Sequence, residues 1–147
     1  ADERLNDEFI RMRRTGKRNA VLMLDIDHFK RVNDSCGHMA GDSALQHVGR
    51  ILEQTVRECD FVARYGGDEF LVILLETGVA DAREVARRIL RAVAAETVPG
   101  VGTISLSIGL ALSSPRQQTA EDAVTEADRC MYEAKRSGRD RVVDSGT

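Results

Sequence analysis

The chain has 147 residues, 42% hydrophobic and 31% charged, with a net charge of −3. That balance suits one domain with its own core and gives no overall basic footprint for nucleic acid. The longest apolar runs fall far short of the roughly 20 residues needed to span a membrane.

Cys36, Cys59 and Cys130 are widely spaced and form no CxxC pair. This argues against a disulfide framework or a zinc site and fits a reducing compartment. No charged-then-apolar signal peptide opens the chain, so the expected location is cytoplasmic. There is no repeat or low-complexity tract, and only two prolines occur.

Residues 1–15 carry Leu5, Phe9, Ile10 and Met12 among charges, the pattern of a weakly amphipathic helix. "NAVLMLDID" follows, apolar from Ala20 to Leu24, and reads as a central strand buried on both faces. It ends in Asp25 and Asp27. Residues 28–34 suit a short helix. Residues 42–57 keep the helical period through Leu45, Val48, Ile51, Leu52 and Val56, with Asp42 or Ser43 as cap.

A hairpin is predicted next, with strands near 61–65 and 68–75 around Gly66 and Gly67. A helix covers 81–95, capped by Asp81. "TISLSIGLAL" alternates strictly. Ile104, Leu106, Ile108, Leu110 and Leu112 face one way, and Ser105, Ser107, Gly109 and Ala111 the other. A last helix spans 119–137, Gly138 ends it, and "RVV" forms a short final strand. The order α-β-α-α-β-β-α-β-α-β mixes hairpins and crossovers, so a mixed α/β sheet with helices on its faces is expected.

Three stretches carry candidate chemistry. Asp25 leaves the most buried strand, and Asp68 enters another apolar strand. If those strands are neighbours, both carboxylates reach one sheet edge, an arrangement that repels without a cation. Oxygen ligands with no His or Cys nearby suit Mg²⁺. The plainer alternative is two strand-end acids facing water. In "NDSCGHMAGD", Asn33 and Asp42 bracket a glycine-punctuated turn. An acceptor-only carboxylate and an amide suit a guanine edge, while Asp42 also suits a helix cap. In "AKRSGRD", Lys135 and Arg139 straddle a helix C-terminus. That position suits cations for the helix dipole alone, or for phosphate contact.

Together, "DIDHFKRVNDSCGHMAGD", "RYGGDEF", "SLSIGLAL" and "ADRCMYEAKRSGRD" resemble the GGDEF family, the diguanylate cyclases, from about Ala20 to Val143. The resemblance implies a five-stranded mixed, mainly antiparallel sheet wrapped by helices, like the palm of adenylyl cyclases and polymerases. It implies metal binding, by Mg²⁺ or Mn²⁺, at the catalytic acids Asp25, Asp68 and Glu69 and at the Ile26 carbonyl. Gly66 and Gly67 let the turn approach the nucleotide. Asn33 and Asp42 match the guanine-reading pair. His28 and Phe29 offer backbone N–H groups to phosphates that Lys135 and Arg139 neutralise.

The implied reaction joins two GTP into cyclic di-GMP with two pyrophosphates released. It takes place between two copies of the domain, each bringing one GTP. The family's inhibitory product site uses an RxxD just upstream of the signature, where Arg57 and Asp60 stand. Arg88 matches its basic partner. Other RxxD copies begin at Arg4, Arg31 and Arg141, so only position singles out Arg57.

Residues 1–147 are expected to form a single such domain, opening past the family's DxLTGLxNR segment and cut from a longer protein. That parent would carry an upstream sensor or receiver and could be membrane-anchored. For the domain itself, no nucleic-acid partner and no membrane contact are expected. Cys36 stands where an aromatic residue is common, and Asp140 where Asn is frequent. A GTP- or product-sensing module without catalysis is one competing possibility. A cyclase using ATP is another, and Asp42 argues against it, since adenine offers no such pair of donors.

Overall fold

The computed structural model describes residues 3–15, 17–114 and 119–145. The side chains of Arg4, Leu5, Phe9 and Met12, which carry part of the predicted first amphipathic face and one RxxD copy, lie outside the described set.

The elements follow the expected order: α1 (Glu3–Thr15), β1 (Asn19–Ile26), α2 (Phe29–Cys36), α3 (His38–Thr55), β2 (Phe61–Arg64), β3 (Glu69–Leu74), α4 (Val79–Ala95), β4 (Leu106–Ser113), α5 (Ala120–Arg136) and β5 (Arg141–Asp144). The five strands lie in the order β2-β3-β1-β4-β5. Every pairing is antiparallel except β4 with β5, which is parallel. Among the described residues no helix is long and apolar enough to cross a membrane.

β1 is the middle strand, and all eight of its residues are buried. Its unbroken apolar run follows from helices covering both faces. On one face Leu22 and Leu24 join Val72, Ile108, Val48 of α3 and Ile89 of α4. On the other, Val21 and Met23 join Leu71, Ala111 and Ala127 and Met131 of α5.

The small-residue face of β4 is therefore not a wet face. It is where α5 lies closest. A Cβ on Gly109 would stand 1.9 Å from the Ala127 carbonyl oxygen and 2.3 Å from the Met131 nitrogen. Only glycine lets the α5 backbone rest directly on the sheet there.

Several sequence-based boundaries change: α2 runs on to Cys36 and α3 stops at Thr55. α3 starts at His38, not 42, after Gly37 at φ 91°. Asp42 thus lies in the second turn and caps nothing. The good helix formers Met39 and Ala40 carry the helix back to the glycine. α4 is capped by Gly78, with Asp81 inside its first turn. β4 begins at Leu106, so Ile104 packs in the core from a loop rather than from the strand. Thr119 caps α5 by accepting from the Asp122 N–H.

Candidate active site

β1 and β3 pair so that Asp25 stands opposite Glu69. The Ile26 N–H donates to the Asp68 carbonyl at 3.3 Å. Two strands running in opposite directions thereby bring an exit and an entry to one edge. Carboxylate oxygens of Asp25, Asp68 and Glu69 all come within 4.8 Å of one another.

Asp25 is 2% exposed, and among the described residues no donor reaches its buried Oδ1. Its Oδ2 accepts from Lys135 Nζ. Burial, then the neighbouring Asp68 carboxyl, pushes the Asp25 carboxyl up to about 7, while Lys135 opposes both. Glu69 is also raised, by burial and by the charges of Asp128 and Asp68. An orphaned buried oxygen among mutually repelling acids fits a divalent cation, and an oxygen-only donor set fits Mg²⁺ or Mn²⁺.

Gly66 and Gly67 link β2 to β3 within a four-residue connection closed by the Tyr65 N–H on the Glu69 carbonyl at 2.9 Å. The predicted hairpin forms, and neither glycine has positive φ, so its turn is not of the primed kind. A Cβ at Gly67 would meet nothing within 4 Å, and at Gly66 only the Glu69 side chain at ordinary distances. Arg64 steadies the connection by donating to the Gly67 carbonyl at 2.7 Å.

α2 begins at Phe29, shortly after β1 ends at Ile26. His28 precedes it at φ 58°. The first amides of a helix have no intrahelical acceptor, so Phe29 and its followers present donors at the positive end of the helix. Asn33 on α2 and Gly41 on α3 touch. A Cβ at Gly41 would stand 1.9 Å from Asn33 Oδ1. Asn33 is half-buried in that notch, and Asp42 is exposed beside it. Arg139 is half-buried at φ 64° after the end of α5, and among the described residues it forms no ion pair.

Arg57 folds onto Asp60. Its Nε and Nη2 donate to the two Asp60 oxygens at 3.1 and 3.0 Å, and Nη2 reaches the Leu75 carbonyl at 2.6 Å. Asp60 also accepts from the Leu75 N–H at 3.0 Å. The pair borders a cleft of about 290 Å³ that Thr77, Glu84 and Arg88 also line.

The family model for the diguanylate cyclase GGDEF domain matches residues 1–141. The chain is a GGDEF domain. It is 40% identical over 142 residues to diguanylate cyclase DgcP of Pseudomonas aeruginosa, covering 95% of this chain and 21% of that protein. It is 40% identical over 126 residues to diguanylate cyclase A of Treponema denticola, covering 84% of this chain and 34% of that protein. The chain therefore spans only a minor part of these relatives. Its fold matches the DgcB GGDEF domain of Caulobacter crescentus, solved with c-di-GMP, at TM-score 0.88 and 29% identity, covering 97% of this chain and 89% of that one.

In this GGDEF domain the sequence-predicted residues fall into two groups. Asp25, Asp68, Glu69 and Lys135 meet at the mouth of β1 and β3, where the Ile26 N–H bonds Asp68. His28 and Phe29 stand at the start of α2, Asn33 and Asp42 on α2 and α3, Gly66 and Gly67 in the β2–β3 connection, and Arg139 just beyond α5. Arg57, Asp60 and Arg88 line the separate cleft. Sequence reasoning noted Asp27 only as a strand end and gave Arg64 no task. Asp27 is 6% exposed and fully engaged. A second acid two residues after Asp25, at the close of a buried strand, was the available signal.

Proposed function

We propose that this domain condenses two GTP into cyclic di-GMP and two pyrophosphates, acting as one half of a two-fold pair. The observation that carries it is the gathering of Asp25, Asp68 and Glu69 at a buried Asp25 Oδ1 that no donor reaches among the described residues, beside Lys135.

Each 3′-hydroxyl attacks the α-phosphorus of the other GTP. The bond to the bridging oxygen breaks, and pyrophosphate leaves. The attacking hydroxyl gives up its proton at this mouth, where Asp68 and Glu69 are the neighbouring carboxylates able to accept it. A divalent cation held by Asp25, the Ile26 carbonyl, Asp68 and Glu69 would supply charge stabilisation for the phosphoryl group. The α2 amides and Lys135 and Arg139 hold the triphosphate.

Gly66 and Gly67 are needed neither for positive φ nor for packing against the protein. The room they leave suits close approach of a nucleotide. Asn33 and Asp42 read guanine, with Asp42 accepting from its N–H edge. The Asp42→Ser variant should accept other purines more readily, and undiminished GTP preference would remove Asp42 from that role. The two-fold symmetry of the product calls for an isologous pair of domains. An upstream sensor or receiver controlling that pairing rests on the family resemblance alone.

The Arg57 cleft is read as the inhibitory product site. Asp60 fixes the guanidinium so that its remaining donors and Arg88 face a phosphate or guanine edge. Titration of cyclic di-GMP into Arg57→Ala tests this, because unchanged affinity with the active site blocked by a GTP analogue contradicts it.

A further inference from the structure

We infer that Asp27 is a positioning residue that fixes the α5–β5 turn, and through it Arg139, against the strand end that bears Asp25. This deepens the reading of the site as a GTP site and rests on it.

Asp27 lies just past β1, two residues after Asp25, and stands outside the cluster of Asp25, Asp68 and Glu69. Its two carboxylate oxygens accept from three segments' donors. Ser107 Oγ of β4 donates to Oδ1 at 2.6 Å. Ser105 Oγ, in the loop before β4, donates to Oδ2 at 2.6 Å. The Asp140 N–H donates to the same Oδ2 at 3.0 Å. The Asp27 N–H in turn donates to the Ser105 carbonyl at 2.9 Å.

The turn it holds is unfavourable on its own. Gly138 has φ 130°, and Arg139 and Asp140 follow at φ 64° and 49°. Two successive non-glycine residues in the left-handed region persist only where their surroundings hold them. The Arg139 N–H is held by the Ala134 carbonyl at 2.9 Å, and the next N–H by Asp27. Arg139 is thus gripped at both flanking amides. One grip belongs to α5, which carries Lys135. The other belongs to the exit of β1, which carries Asp25. The cation for the phosphates and the carboxylate for the metal are set relative to each other by Asp27.

β1 pairs β4 along the whole strand without Asp27, so losing it should loosen the turn and leave the guanine-reading notch on α2 and α3 intact.

Two probes separate these effects: 3′-deoxy-GTP, which binds but cannot attack, and guanosine, which lacks phosphates. Asp27→Ala should weaken 3′-deoxy-GTP about tenfold or more and guanosine less than about twofold. In an Arg139→Ala background the same change should add less than about twofold for 3′-deoxy-GTP. Asp27→Asn, which keeps one oxygen for Ser105 and Asp140, should recover most of the loss.

Equal weakening of both probes, or full additivity with Arg139→Ala, overturns the inference. Wild type failing to bind 3′-deoxy-GTP sinks the GTP reading itself. Wild type binding it, with Asp27→Ala unchanged, sinks only this inference. If Asp27→Ala does not fold, hydrogen exchange on the unmodified protein decides. The Asp140 amide should exchange at least about tenfold slower than an unprotected amide. Exchange at the unprotected rate contradicts the grip.

Discussion

Lys135, in the last turn of α5, donates a hydrogen bond to the buried Oδ2 of Asp25, 110 residues earlier. One cation from a helix and one carboxylate from the central strand share the floor of the site. Lys135 works against the burial and the Asp68 contact that favour a proton on Asp25. Removing it as Lys135→Ala should raise the proton affinity of Asp25 further. The pH midpoint for Mn²⁺ binding, followed by paramagnetic resonance, should then move up by on the order of one unit. A midpoint that stays or falls means that Lys135 does not govern Asp25.

The same carboxyl makes stability depend on pH in an unusual direction. Asp25 is raised from 3.8 to about 7 in the folded chain. Between those values the folded state keeps a proton that the unfolded state has released. The contribution is therefore full below the unfolded value and lost as pH rises through about 7. Glu69, raised as well, adds in the same sense. Melting in EDTA should show falling stability across that window, and Mg²⁺ should recover most of it at about pH 8. A metal-free protein whose stability rises through the window would contradict the assignment.

Gly41→Ala separates recognition from folding. The new methyl collides with Asn33 Oδ1, the end of a side chain that can swing away. Alanine also favours helix over glycine by about 1 kcal/mol. Stability should change by no more than about 1 kcal/mol, while GTP affinity falls at least about tenfold as Asn33 is displaced. Urea unfolding and calorimetric titration read the two separately. Unchanged affinity would detach Asn33 from the base.

Gly109→Ala should behave in the opposite way. Here the methyl meets helix backbone at Ala127 and Met131, which cannot swing aside. Overpacking of this kind costs about 1–3 kcal/mol or more, and a shifted α5 carries Lys135 with it. Stability and metal affinity should fall together. A neutral result would mean that α5 moves freely over β4.

These contrasts mark what could be read in the sequence. The unbroken run of β1 and the strict alternation of β4 identified the sheet, because periodicity reports which faces are covered. Asp25 and Asp68 could be paired only on the condition that their strands are neighbours, and the antiparallel pairing of β1 with β3 meets that condition. The start of α3 was misplaced because Gly37 and Gly41 look alike in sequence. Only the hydrogen bond from the Gly41 N–H to the Gly37 carbonyl, at 3.1 Å, shows that the second glycine is helical. Gly66 and Gly67 announced the hairpin but not its conformation, since composition cannot separate a need for positive φ from a need for room. The hold of Asp27 on Asp140 joins residues 113 apart, and no local pattern announces such a contact.

The central claim is that the acids at the mouth of β1 and β3 join two GTP into one cyclic dinucleotide. Incubation of the protein with GTP and Mg²⁺, concentrated enough for domains to pair, followed by chromatography of the nucleotides, tests it most directly. Cyclic di-GMP should appear with two pyrophosphates per product. It should vanish with EDTA and in folded Asp25→Asn and Asp68→Asn variants. GTP bound without any dinucleotide formed, or undiminished product from either variant, would contradict the account.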